Sequence, residues 1–258
     1  MWRVRLLLLR GMLLTVFLVP AVNADEADEL IKKGEELYQT RHLAEGRYDQ
    51  AVEAYERALA LRPNDYRILW KLSQILHHYG LVLDDKAKDR KIALWEKGVR
   101  YGKRAAEVNP NGKEGHFYYM ANTGALAQIK GTLTSLWHYR TIKKEMDRTL
   151  ELDPRFAPAL VARAQYLTEL PGIFGGNNEK EAMRLYERAL ESDPDYLLVY
   201  YYMAQIDARQ RRYDEAIARL KKIIECAEPA NYANWATQER PWAEKLLKEV
   251  LKEKEKAQ

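Results

Sequence analysis

A single cysteine in 258 residues excludes an internal disulfide, so the stability of this chain has to come from packing. That cysteine, Cys226, falls beside Ile223 and Ile224 at apolar helical positions and fits a small core residue. Histidine is scarce too. His77-His78 is the sole adjacent pair, and neighbouring residues on a helix point in different directions, so both cannot chelate one metal from one face. His42, His116 and His138 are dispersed. No Ser-His-Asp or Cys-His arrangement can be placed, which argues against catalysis, and nothing calls for a cofactor. An excess of one charge is missing as well. Setting aside Arg3, Arg5 and Arg10 leaves 39 basic against 38 acidic residues, which removes the electrostatic reason to expect nucleic acid.

Long apolar runs are confined to the first 24 residues and are short there. Basic residues come first, Leu6–Leu9 and Met12–Val19 follow around Arg10, and Pro20 breaks the stretch. A membrane span needs about 20 apolar residues, so this is a cleavable leader rather than an anchor. Val22-Asn23-Ala24 places small residues where a signal peptidase reads, so residues 1–24 are expected to be removed and Asp25 to begin a periplasmic or secreted chain.

The sequence has what its composition of 47% hydrophobic residues requires, a repeated way of ending helices. Ala58-Leu-Ala-Leu-Arg-Pro63, Ala105-Ala-Glu-Val-Asn-Pro110, Thr149-Leu-Glu-Leu-Asp-Pro154 and Ala189-Leu-Glu-Ser-Asp-Pro194 are versions of one string, and Ile223 to Pro229 is a looser fifth. Proline lacks an amide proton and its ring clashes with the preceding turn, so each forbids another helical turn. Residues 25–258 are therefore expected to form one all-α, right-handed superhelical solenoid of about five helix pairs. Tyr200, Ala204, Tyr213-Asp-Glu-Ala216 and Leu220, together with Gly34, Tyr48, Ala51, Tyr55 and Ala58, make the unit resemble the tetratricopeptide repeat. Excess length over that 34-residue unit is expected between paired helices, near Leu81–Asp89, Lys130–Tyr139 and Pro171–Asn177. An amphipathic helix over about 238–256 fits a cap.

Two strings carry a narrower resemblance. Leu170-Pro171-Gly172-Ile-Phe-Gly175-Gly176-Asn177 is similar to the loop of the TRAP transporter T-component family, and Gly124 to Pro154 resembles the segment before it. The same stretch resembles the regulator-of-microtubule-dynamics repeat proteins less closely, and the leader favours the bacterial family. The T-component resemblance implies a periplasmic helical protein that partners a solute-binding protein and carries a pore or groove for an apolar ligand. The lipobox cysteine common in that family is absent here. The Gly172…Gly175-Gly176 loop lacks the Gly-Lys-Ser/Thr ending of a phosphate loop, and Asn178 with Glu181 fits a helix-capping pair.

Repeats of this type resemble one another in turning the first helix of each unit inward. Counted from each proline, the fifth helical position is Trp70, Phe117, Val161 and Tyr201, and the ninth is Gln74, Ala121, Gln165 and Gln205. A slip by one in the third unit substitutes Tyr118 and Asn122, and His77 lies one turn beyond Gln74. The expectation is a non-enzymatic binding or adaptor protein. Its groove would hold a protein segment, a solute-binding protein among the choices, or an apolar small molecule; homo-oligomers are a further arrangement.

Overall fold

The computed structural model describes the backbone of residues 18–169 and 178–257, with side chains given outside 18–24 and 132–137. The expected loop residues Pro171, Gly172, Gly175, Gly176 and Asn177, and most of the leader, lie outside the described residues.

The described helices pair in chain order. Helices α1 (Leu18–Gln39) and α2 (Arg47–Leu61) form the first unit, α3 (Tyr66–Val82) and α4 (Lys88–Val108) the second, and α5 (Lys113–Lys130) and α6 (Thr132–Leu152) the third. The fourth is α7 (Ala157–Glu169) with α8 (Glu179–Ser192), and the fifth is α9 (Leu198–Arg209) with α10 (Tyr213–Ile224). A single turn α11 (Tyr232–Asn234) and a π-helical turn (Trp235–Glu239) lead into α12 (Arg240–Ala257), which packs on α10. No strand occurs among the described residues, and none of their helices is long and apolar enough to cross a membrane.

The proline strings act locally as the sequence predicts. Helices α2, α4, α6 and α8 each close with a backbone bond from the residue before the proline, Arg62, Asn109, Asp153 or Asp193, to the carbonyl four residues back. Asn178 caps α8 by accepting the Glu181 amide at 3.1 Å. The reciprocal half of a capping box is replaced, because the Glu181 carboxylate turns to Arg184.

Of the three places expected for the excess length, Leu81–Asp89 spans the connection from α3 to α4, and Pro171–Asn177 lies outside the described residues. Lys130–Tyr139 is not an inserted loop: α5 and α6 meet at Gly131, whose φ of 97° lets the chain reverse in one residue. The added residues lengthen α4 and α6 to 21 residues each. Longer second helices demand close approach to the first ones, and glycine supplies it. A Cβ on Gly102 would lie 2.7 Å from the Tyr119 backbone, and one on Gly80 would strike the Trp95 indole.

The core follows the pairing. Tyr55, Ile68, Leu69, Leu72, Ile75 and Leu76 fill the first two units, and Leu160, Tyr186, Val199 and Ile206 fill the fourth and fifth. Leu220, Ile223, Trp235 and Val250 seal α12 against the last pair, with Cys226 partly buried among them.

Candidate functional site

The first helices α1, α3, α5, α7 and α9 send side chains toward one interior. On α3, Trp70, Gln74 and His77 recur at the spacing that places them on one helical face. Opposite them stands Tyr118 of α5. Its ring lies 6.2 Å from Trp70 with the planes 7° apart, and its hydroxyl accepts from Gln74 Nε2 at 2.6 Å. His77 and His78 sit 6.5 and 6.3 Å from the same ring. The Tyr38 hydroxyl of α1 bonds His78 Nδ1.

Burial sets the protonation of this cluster. It lowers His77 to about 4, and desolvation with the neighbouring His77, Arg41 and Lys71 charges holds His78 well below the usual imidazole range. Desolvation pushes the Tyr38 and Tyr118 phenols upward. Both shifts oppose proton transfer from Tyr38 to His78. The cluster is polar, with Lys71 Nζ 4.8 Å over the Trp70 ring and the Arg41 guanidinium 4.2 Å over the Tyr38 ring at its edges. Gln74 Oε1 and His77 Nδ1 are buried with no hydrogen-bond partner among the described residues.

A second sector continues from the fourth and fifth units. Tyr202 of α9 stacks on Tyr186 at 6.1 Å with planes 7° apart, and its hydroxyl faces Gln165 of α7. Tyr196, in the turn before α9, has Tyr202, Glu239 and Tyr118 as its electrostatic neighbours and so joins the two sectors. Glu239, on the π-helical turn, is 6% exposed and has no ion pair among the described residues; desolvation raises its carboxyl to about 7 against the pull of Arg41.

The expected groove residues divide. Trp70, Gln74, His77, Tyr118 and Gln165 converge on the interior. Val161 is 3% exposed and packs in the apolar core of α7 to α9. Phe117 is buried edge-on to Phe156 at 5.3 Å and to Tyr118 at 5.0 Å, within a core cluster against which Trp70 also packs. Asn122 is fully buried between helices and donates to the Ser73 carbonyl at 3.0 Å. Tyr201 lies under Trp242 of α12 at 5.6 Å, and Gln205 bonds the Tyr201 hydroxyl at 3.3 Å, so both face the cap. Tyr202 takes the inward place assigned to Tyr201. Tyr38, His78, Tyr196 and Glu239 were not in the expected groove; only the inward turn of α1, a first helix like the others, could have pointed to Tyr38.

Among the described residues no three His, Cys, Asp or Glu side chains gather as a metal-binding group. The Arg212 and Arg219 guanidiniums converge on Asp207, which is 1% exposed, and fasten α9 to α10. His116 Nδ1 lies 2.5 Å from Glu145 Oε2 and its Nε2 lies 3.0 Å from the Pro110 carbonyl, which ties α6 to the turn before α5.

Paired helices, a proline at each unit boundary and an interior lined by first helices define a tetratricopeptide-repeat superhelix. A tetratricopeptide-repeat family model matches residues 177–239. The family model for regulator of microtubule dynamics protein 1-3 matches residues 24–167, more than half the chain, and the chain belongs to that family. It is the less close of the two resemblances drawn from the sequence. No curated protein matches. Among solved structures, the fold is similar to TTC0263, a thermophilic TPR protein of Thermus thermophilus. That match has 22% identity, covers 86% of this chain and 99% of that one, and has a TM-score of 0.62. A crystal structure of MamA matches at 15% identity over 90% of this chain and 94% of its own, with a TM-score of 0.42.

Proposed function

We propose that this protein is a non-enzymatic scaffold that holds an uncharged stretch of a partner polypeptide against its interior. One observation carries the reading: first helices from all five units contribute to a lining of aromatic rings, amides and neutral imidazoles. Such a lining suits main-chain amides, which need both donors and acceptors but no counter-charge, while the rings supply apolar contact. An apolar small molecule with a polar end is the competing occupant. Selection of displayed random peptides on the protein tests the choice. Peptides should be recovered that bind at least about tenfold more weakly to Gln74→Ala/Gln165→Ala, with unfolding temperature little changed. Recovery of none, or of peptides indifferent to both changes, would count against the scaffold.

Two finer readings name the partner. The leader and the Leu170-Pro171-Gly172 string support a T-component-like partner of a periplasmic solute-binding protein, and the family match begins at residue 24, where the leader is expected to end. The description of the matched family supports a microtubule-linked partner instead. Location separates them. N-terminal sequencing of an exported, soluble fraction reading Asp-Glu-Ala-Asp supports the first; retention of Met1 in the membrane fraction contradicts cleavage.

A further inference from the structure

Three carboxylates among the described residues are no more than 6% exposed, and the fold provides a cation for two of them. Asp207 receives the Arg212 and Arg219 guanidiniums, and Glu145 receives His116, with Lys144 3.5 Å away. Glu239 has neither an ion pair nor a hydrogen bond among the described residues. We infer that Glu239 is the counter-ion for an arginine side chain of the bound partner segment, taken up beside the Tyr202 ring on the interior surface. This rests on the scaffold reading and deepens it, adding one arginine to the otherwise uncharged stretch.

The internal cation that acts on Glu239 is already engaged. Arg41, 4% exposed, donates to the Tyr38 carbonyl at 2.6 Å and the Tyr48 hydroxyl at 3.1 Å. It also donates to Asn234 of α11, a seam between residues 193 positions apart. Arg41 therefore pulls on Glu239 without bonding it, and Asp193, before α9, adds a second negative charge. Two carboxylates against one committed guanidinium leave the place short of one positive charge. Burying a carboxylate without a counter-ion is costly, so an incoming cation gains what the fold withholds.

The surroundings select the kind of cation. Tyr202 is partly exposed, stacks on Tyr186 at 6.1 Å and has Glu169 and Glu239 as its anionic neighbours. Tyr196, also partly exposed, has Glu239 as an electrostatic neighbour. Solvent reaches both rings, so a side chain entering the interior meets phenol faces and a carboxylate together. A guanidinium suits both. It is planar and weakly hydrated, it stacks on aromatic faces, and it offers paired N–H groups to a carboxylate, where an ammonium offers a strongly hydrated point charge. The chain makes the same kind of contact internally, with the Arg41 guanidinium 4.2 Å over the Tyr38 ring.

Ethylguanidinium, the arginine head group, tests the site without a peptide. In protein carrying isotope-labelled glutamate, the Glu239 carboxyl resonance is identified by its loss in Glu239→Gln, and NMR follows its titration. A cation that binds the ionised form lowers the midpoint. At twice its dissociation constant ethylguanidinium should lower it by about 0.5 pH unit, and sodium chloride of equal ionic strength should not. A midpoint unmoved up to the highest concentration at which circular dichroism shows the fold intact, or moved equally by the salt, would overturn the inference. Peptides selected on the protein at about pH 8, where Glu239 is ionised, supply the second arm. Replacing their arginine by citrulline, which removes the charge and keeps the shape, should weaken binding at least about tenfold, with little effect on binding to Glu239→Gln. Peptides that bind through lysine, or without a basic residue, overturn the inference and leave the scaffold standing. If no peptide binds while ethylguanidinium still lowers the midpoint, the scaffold reading fails and the arginine site stands.

Discussion

Trp70 and Tyr118 belong to different units, yet their rings lie 6.2 Å apart and 7° from parallel, tied by Gln74 to the Tyr118 hydroxyl at 2.6 Å. The pair couples the second unit to the third at the interior surface. Tyr118→Phe should therefore cost only about 1 kcal/mol, the worth of one hydrogen bond, while Tyr118→Ala should cost about 3 to 5 kcal/mol. Urea unfolding measures both. Equal losses would mean that the ring contributes no packing.

Glycine positions separate close approach from helix propensity. Gly102→Ala should destabilise by about 2 kcal/mol or more, because the neighbour 2.7 Å away is the backbone of Tyr119 and cannot rotate aside. Gly124→Ala, on the next helix α5, meets nothing within 4 Å and should stabilise by about 0.5 to 1 kcal/mol. Thermal unfolding of the two variants should move in opposite directions.

Two buried groups should give the stability profile opposing slopes. Glu239 has a folded pKa of about 7 against an ordinary 4.5, so the folded state keeps a proton that the unfolded chain releases. Stability then falls as pH rises from 4.5 to 7, and the loss is complete above 7. Glu239→Gln should raise stability by up to about 3 kcal/mol at pH 8 and by little at pH 4. His77 acts the other way. Its folded pKa of about 4 lies below 6.5, so the unfolded chain takes up the proton first and stability falls as pH drops from 6.5 to 4. His77→Asn should flatten that acid limb. Chemical denaturation across the pH range resolves both.

The helix pairs were legible because each boundary is a local event: a proline ends one helix, and an asparagine caps the next at Asn178. The inward register was legible only in part. The inward ring stands seven residues after Pro63 at Trp70, but eight after Pro110 at Tyr118 and eight after Pro194 at Tyr202, and a shift of one residue turns a helical position by about 100°. Val161 gave no warning of its burial: on the short α7 it packs into the core of α7 to α9. The seam of Arg41 with Asn234 left no periodic signal, because it joins residues whose proximity depends on how every unit between them is stacked.

The exchange of tyrosines has its own consequence. Tyr201→Ala should loosen the cap by removing the contact with Trp242, lowering the unfolding temperature and speeding hydrogen exchange in α12. Tyr202→Phe should leave stability nearly unchanged yet weaken ligand binding, since it removes only the hydroxyl that faces Gln165. A peptide ligand indifferent to Tyr202→Phe and weakened by Tyr201→Phe would restore the original register.

The most direct measurement is hydrogen exchange of the protein with and without a selected peptide at saturating concentration. The account predicts slowed exchange in α1, α3, α5, α7 and α9, and no change in α2, α4, α8 and α10. Protection confined to the second helices, with the first helices unaltered, would place the binding surface on the outside of the superhelix and contradict it.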